Sequence, residues 1–320
     1  MLTIQPDPTI VLDTGDSDRV YAVAFQPDGM HILGGGEKGI RRWRLADGQE
    51  VGRQTGMRLF AIAVSKDHQW IVCGSMRGAS VWDAEIQDKV INVEGGNPVI
   101  TVDISADSTR FATGTAKEAS IWSISSGEKL VGPLEHVNDV TGVRFSPDGE
   151  RIATACQENS VRVFDSRTGD EHITINTITP RSIFWAITPL SWSNDGQQRF
   201  AASKDNKTKC FDVSTGSQLA ETQVLRDGDV GSIALATNGK FCATFGDYAI
   251  TFLETASLSQ IPPVVEESES IESISLSLDS RYLATGRRDG KISVRDLGHI
   301  LPNSYDPFHV SIWPVFCLPH

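Results

Sequence analysis

Seven histidines and five cysteines are the side chains of this 320-residue chain best suited to metal, nucleophilic or acid–base chemistry, and their spacing supports none of the three. His31, His68, His136, His172, His299, His309 and His320 stand far apart, with no short-spaced pair of metal ligands. No Gly-x-Ser-x-Gly elbow and no phosphate-cradling glycine loop occurs. Gly34-Gly35-Gly36 ends a strand-like run and is followed by no helix, so it reads as a tight turn. Cys73, Cys156, Cys210, Cys242 and Cys317 are odd in number and match no metal spacing; four lie in apolar runs, as small core residues do. The sequence therefore predicts no catalytic residue, no cofactor and no metal.

What remains is the chemistry of binding. Arg181, Phe184 and Trp185 fall together in the stretch Thr177-Ile-Thr-Pro-Arg-Ser-Ile-Phe-Trp185, and aromatics with arginine are the residue types that dominate interface hot spots. The aromatic pair has two readings, a local core under its loop or an exposed anchor. A second such stretch, Ile261-Pro-Pro-Val-Val-Glu-Glu-Ser-Glu-Ser270, reads as an acidic, serine-bearing connection between two of the chain's repeats, the sixth and the seventh. A net charge of −12 opposes nucleic acid or an anionic membrane as partner, because both are held largely by lysine and arginine. The first residues, MLTIQPDPTIVLDTGD, lack a basic segment followed by an apolar run, and no window approaches the roughly 18 apolar residues of a membrane span. The expectation is an intracellular protein, cytoplasmic or nuclear, whose partners are other proteins or peptides.

The elements that must position these residues show as a repeat. A turn centred on Asp or Asn recurs at Asp28, Asp67, Asp107, Asp148, Asp195, Asn238 and Asp279, at intervals of 39, 40, 41, 47, 43 and 41. About fifteen residues later comes a run ending in an aromatic or apolar residue, often with an acid: Trp43, Trp82-Asp83, Trp122, Phe164-Asp165, Phe211-Asp212, Leu253-Glu254 and, most degraded, Arg295-Asp296. Two markers hold one phase through seven units. Within each unit the runs are short, rich in Val, Ile, Ala, Thr and Phe, and divided by Gly, Asn or Asp turns, which is the pattern of antiparallel strands.

The fourth unit, VTGVRFSPDGERIATACQENSVRVFDSRTGD over Val140–Asp170, carries the resemblance most clearly. Its Ser-Pro-Asp-Gly turn, Ile-Ala-Thr-Ala run and Val-Phe-Asp ending resemble the repeat of the WD-repeat family, about 40–45 residues and four strands per propeller blade. The resemblance covers roughly residues 8–297 and implies an all-β fold: one seven-bladed β-propeller of four-stranded antiparallel blades. Residues 1–7 are then an N-terminal extension and 298–320 a C-terminal tail. No fourth strand follows Ile292–Leu297, so Thr9–Asp13 is expected to complete the last blade. The tail, with Phe308, Trp313, Phe316 and four prolines, is expected to dock along the side, to bind a partner or to stay disordered.

Members of the family carry a buried network of His, Ser/Thr, Asp and Trp. Only the fourth unit approaches it, with His136, Thr154, Glu158 for the acid and Phe164 for the Trp. Phenylalanine has no N–H to donate, so apolar packing is expected to carry the blades.

The resemblance also implies that the loops entering the first strands and those joining second to third strands share one face used for partners. The first set presents Arg19, Arg58, Pro98, Asp139, Ala186, Asp229 and Ser270; the second adds Lys38, Arg77, Lys117, Glu158, Lys204, Asp247, Arg287 and Arg288. Arg19, Arg58, Arg77, Arg287 and Arg288 form a basic sector on neighbouring blades, suited to an acidic or phosphorylated peptide, unless Glu266, Glu267 and Glu269 fold over it. Asp139, Glu158, Asp229 and Asp247 form an acidic one. In the fourth unit, Glu158, Asp165 and Arg167 are similar to the Trp-Asp-x-Arg box of propellers that serve cullin-type ubiquitin ligases, with Phe164 and Ser166 departing from it.

The functional expectation is a non-enzymatic scaffold or adaptor displaying these loops to partners. The alternatives are a substrate receptor of a ubiquitin ligase, the propeller portion of a larger signalling assembly, and an enzyme centred on the channel.

Overall fold

A computed structural model describes residues 3–4, 7–15, 19–85, 88–94, 96–157, 160–176, 190–203, 207–222, 231–302 and 304–305. Its strands form seven sheets, five of them each built from one repeat and two completed by N-terminal strands. Blade one comprises Val20–Phe25, His31–Gly36, Gly39–Arg44 and Glu50–Thr55; blade two, Leu59–Val64, Trp70–Ser75, Gly78–Asp83 and Lys89–Glu94. Blade three comprises Thr101–Ile104, Arg110–Gly114, Glu118–Ser123 and Lys129–Glu135; blade four, Val140–Phe145, Arg151–Cys156, Ser160–Asp165 and Glu171–Asn176. Blade five is built from Leu190–Trp192, Gln198–Ser203, Lys207–Asp212 and Gln218–Glu221, and blade six from Ile233–Leu235, Phe241–Phe245, Ala249–Glu254 and Gln260–Glu266. Blade seven takes three strands from the last repeat, Ile271–Leu276, Tyr282–Arg287 and Lys291–Asp296. The first strand of each blade touches that of the next, round to the contact between blades seven and one.

Closure follows the expectation from sequence. The fourth strand of blade seven is Ile10–Asp13, antiparallel to Lys291–Asp296 with Leu12 opposite Ile292. Leu12 is 1% exposed and belongs to a core with Trp43, Ala284 and Ile292. A single hydrophobic seam thus ties the chain's beginning to its last repeat.

The N-terminal extension does more than precede the ring. Thr3–Ile4 pairs in parallel with Val264 and Val265, making blade six five-stranded. That requires a correction to the acidic connection, because residues 260–266 are the fourth strand of blade six and only Glu267–Ser270 links the blades. The sequence hid this strand behind two prolines, which donate no N–H and usually argue against a strand flanked on both sides.

The turn marker has a physical cause. In blades two, three, four, five and seven, Ser65, Ser105, Ser146, Ser193 and Ser277 donate their hydroxyls to Asp67, Asp107, Asp148, Asp195 and Asp279 across 2.5–2.6 Å. Each serine Oγ also accepts the backbone N–H five residues on, at 2.8–3.0 Å, so one Ser-x-Asp pair satisfies the whole turn. These bonds hold the carboxyls of Asp107, Asp148 and Asp195 below the usual carboxylate range, although burial opposes the shift. Among the described residues, no group of three or more His, Cys, Asp or Glu is arranged to hold a metal ion, and no helix is long and apolar enough to cross a membrane.

Candidate functional site

The loops entering first strands and those joining second to third strands are the elements that display the predicted partner residues. Arg19, just before the first strand of blade one, lies 3.8 Å from Glu272 on the first strand of blade seven. Arg58, before blade two, donates to the Tyr21 hydroxyl at 2.5 Å, meets Glu37 at 3.2 Å and lies 4.8 Å from the Tyr21 ring centroid. Tyr21 donates to Glu37 at 2.5 Å, and burial together with that bond pushes its phenol up. Arg77, Lys38, Lys117 and Arg288 are exposed. The structure therefore brings Arg288, Arg19, Lys38, Arg58 and Arg77 onto consecutive blades seven, one and two.

Arg287 is different. It is 7% exposed, 3.7 Å from Glu267, paired with Asp289, and donates to Ser293 Oγ at 3.2 Å. Of the three glutamates weighed as a neutralising cover, Glu267 takes this role, and it takes it inside the blade. Arg287 thus belongs to the interior, and Arg288 alone of the two is displayed. On the acidic side, Asp139 is half-buried and Asp247 exposed; Asp229 and Glu158 lie outside the described residues. Arg181, Phe184 and Trp185 also lie outside them.

At the opposite ends of the strands, Asp165 accepts the backbone N–H groups of Arg167 and Thr168, both at 2.8 Å, and these bonds hold its carboxyl low. Arg167 reaches Glu150 at 3.0 Å while remaining 69% exposed. Asp165 is thereby committed to its own turn, and only the Arg167 head of the ligase-like pair points outward.

Buried polar groups add to the apolar packing of the blades. Blade four has Thr154 Oγ1 at 3.1 Å from His136 Nε2, with the His136 and Phe164 rings edge to face at 6.1 Å. In blade three, Trp122 Nε1 donates to Thr113 Oγ1 at 2.9 Å. Blade seven, the most degraded in sequence, holds an ionic version: Thr285 donates to Glu267 at 2.7 Å and Arg295 pairs with the same carboxylate. Glu267 and Thr285 are eighteen residues apart, as are His136 and Thr154, and Arg295 stands where Phe164 does. That shared spacing was the available signal. Arg295 masks it, because it keeps the register of the marker but has neither the aromatic nor the apolar character of the other six units.

Arg199 was also missed. It is 1% exposed, lies 4.3 Å from the Trp192 ring centroid, and its three guanidinium nitrogens have no hydrogen-bond partner among the described residues. Burial pushes the guanidinium down to about 9, with Arg151 adding to the effect. Opposite Phe211 in the sheet, it occupies the place that Ile152 holds opposite Phe164.

A groove lies between blades one and two, lined by Trp82 and Leu59 together with Arg77 and Lys89, whose side chains are exposed; its volume is about 250 Å³. No catalytic pair is arranged around it: its described lining includes neither a carboxylate nor a histidine.

Comparison with known proteins agrees with this architecture. The family profile described as "WD domain, G-beta repeat" matches residues 7–44, 128–165 and 264–296. Periodic tryptophan protein 2 of Arabidopsis thaliana is 29% identical over 111 residues, 34% of this chain and 12% of that protein. WD repeat-containing protein 1 of Rattus norvegicus is 28% identical over 171 residues, 49% of this chain and 28% of that protein. Intraflagellar transport protein 122 homolog of Xenopus tropicalis is 20% identical over 301 residues, 91% of this chain and 25% of that protein. The chain thus spans between about an eighth and just over a quarter of the length of these relatives.

Proposed function

The chain belongs to the WD-repeat family, and from that premise we propose that it is a non-enzymatic scaffold whose loop face holds protein or peptide partners. The observation that carries this reading is the run of cationic side chains on blades seven, one and two, Arg288, Arg19, Lys38, Arg58 and Arg77, on a chain of net charge −12. A cationic sector on an acidic protein favours an acidic or phosphorylated segment and repels most acidic proteins, which gives selectivity as well as attraction. The sheets hold these loops in place before the partner arrives, which lowers the ordering cost of binding. Glu37 at 3.2 Å holds the Arg58 guanidinium in position, and Glu272 lies 3.8 Å from that of Arg19.

The test is affinity purification with mass spectrometry, comparing the natural chain with an Arg19→Glu, Arg58→Glu, Arg288→Glu variant whose circular dichroism is unchanged. Loss of a partner recovered reproducibly with the natural chain is the expected result. Retention of every partner disposes of the basic sector as the binding surface.

A further inference from the structure

Gly56 leaves empty a niche that other blades fill with a side chain of their own. Its N–H donates to Lys38 O at 3.3 Å, just as His136 donates to Lys117 O at 2.8 Å and Glu267 to Tyr248 O at 2.7 Å. The three residues hold the same place, one step past the fourth strand of the preceding blade. From there His136 reaches Thr154 and the Phe164 ring, and Glu267 reaches Thr285 and Arg295. Gly56 has no side chain to send inward; its φ is +142°, and among the described residues a Cβ built on it would stand in open space.

Gly56 lines the groove of about 250 Å³ between blades one and two. Trp82, the equivalent of Phe164 and Arg295, forms its wall. The Trp82 indole N–H turns to Ser80 Oγ at 2.9 Å, because Cys73 stands where Thr113 supplies the acceptor in blade three. Ser75 and Ser80, both small, keep the space open. Lys89 Nζ sits 5.2 Å from the Trp82 ring centroid, and Arg77 is exposed. Two cations with no carboxylate line the niche among the described residues, on a chain whose acids outnumber its bases by 41 to 29.

We propose that this niche receives one anionic side chain of a partner peptide, its phosphate or carboxylate between Arg77 and Lys89 and its stem over Trp82. The partner supplies the group that His136 and Glu267 supply internally in their blades. Arginine binds such an oxyanion through paired N–H donors, and the indole face shelters the stem from water. This inference rests on the scaffold reading and assigns it a specific subsite.

The experiment titrates the full chain with fluorescein-labelled degenerate peptides whose central residue is glutamate, phosphoserine or phosphotyrosine, and with matched sets bearing glutamine, serine or tyrosine. Anisotropy reports binding, and the Trp82 indole N–H resonance, assigned with Trp82→Phe, reports where it occurs. The expected result is a Trp82 shift with at least one anionic set and not with its neutral counterpart. Arg77→Glu with Lys89→Glu should weaken that binding about tenfold or more, or about 1.4 kcal/mol, while Lys240→Glu, at an exposed lysine of blade six, leaves it unchanged. Binding that ignores the Arg77 and Lys89 changes but falls with Arg288→Glu overturns the niche and leaves the scaffold reading standing. Inorganic phosphate shifting Trp82 as tightly as the peptides overturns a peptide subsite in favour of a small-anion site. Failure of every anionic set to shift Trp82 also overturns the niche, whereas the scaffold reading falls only if the partner purification fails as well.

Discussion

Thr285 donates its hydroxyl to Glu267 across 2.7 Å, over the same eighteen-residue separation that links Thr154 to His136 in blade four. The Glu267 carboxylate also pairs with Arg295 and lies 3.7 Å from Arg287, all three charged side chains being less than a tenth exposed. One buried acid therefore compensates two guanidinium groups, with Asp289 sharing Arg287. Removing the acid strands both cations in a medium that solvates them poorly. Glu267→Ala should cost about 3–5 kcal/mol, whereas Arg288→Ala, one residue from the cluster and exposed, should change stability by no more than about 0.5 kcal/mol. Denaturant titration of the two variants checks this. A similar midpoint for both would show that blade seven does not depend on its ion cluster.

The seven units, their strand order and the closing strand were legible because strands, turns and Asp markers repeat with the geometry that causes them. Asp148 recurs in register because Ser146 and the backbone of Glu150 need its carboxylate. Blade seven's polar cluster was illegible for the opposite reason: Arg295 and Glu267 preserve the position of a network while changing its chemistry. Arg287 looked like surface because a lone arginine in a turn gives no hint of Glu267 and Ser293 behind it. The niche beside Trp82 was invisible too, since it is made by what Gly56 lacks, and a missing side chain registers only once neighbouring blades are superposed.

Arg199 tests how much the repeat pattern can repair. It replaces the apolar residue that Ile32, Ile71 and Ile152 provide opposite Trp43, Trp82 and Phe164. Its guanidinium is buried, stacks on Trp192 and donates to no acceptor among the described residues. A buried charge without a partner is expensive, and the stacking recovers only part of that cost. Arg199→Ile should therefore stabilise the fold, by about 1–4 kcal/mol, seen as a higher melting temperature at neutral pH. A lower melting temperature would mean that packing on Trp192 outweighs the desolvation of the cation.

Closure is tested at Leu12. Its side chain is buried against the core that contains Ile292 and Trp43, so Leu12→Ala should cost about 2–5 kcal/mol. Val11, 47% exposed on the same strand, is the internal control, and Val11→Ala should have little effect. Deleting residues 1–15 should lower the melting temperature further than Leu12→Ala, because it also removes the pairing of Thr3–Ile4 with blade six. An unchanged melting temperature on deletion would refute closure through the N-terminal strand.

Glu272 gives stability an identifiable pH dependence. On the first strand of blade seven it is 4% exposed, its Oε1 accepts no hydrogen bond from the described residues, and Arg19 is 3.8 Å away. Burial raises its carboxyl above the ordinary glutamate value, and the attraction of Arg19 and Arg288 offsets only part of the rise. Between the unfolded and the raised folded value, the folded chain binds more protons than the unfolded one. Stability from this group therefore falls as pH rises through that window, and the cost is complete above it. Glu272→Gln removes the ionisation, so it should raise the melting temperature relative to the natural chain at about pH 7.5, with the gap closing towards about pH 4 as the native carboxyl takes up its proton. The depressed turn aspartates act in the opposite sense, losing their contribution as pH falls through their own low values, but they are common to both chains and cancel in the difference. A gap that stays constant across this range, or a variant less stable at about pH 7.5, would mean that ion pairing with Arg19 and Arg288 outweighs burial at this position.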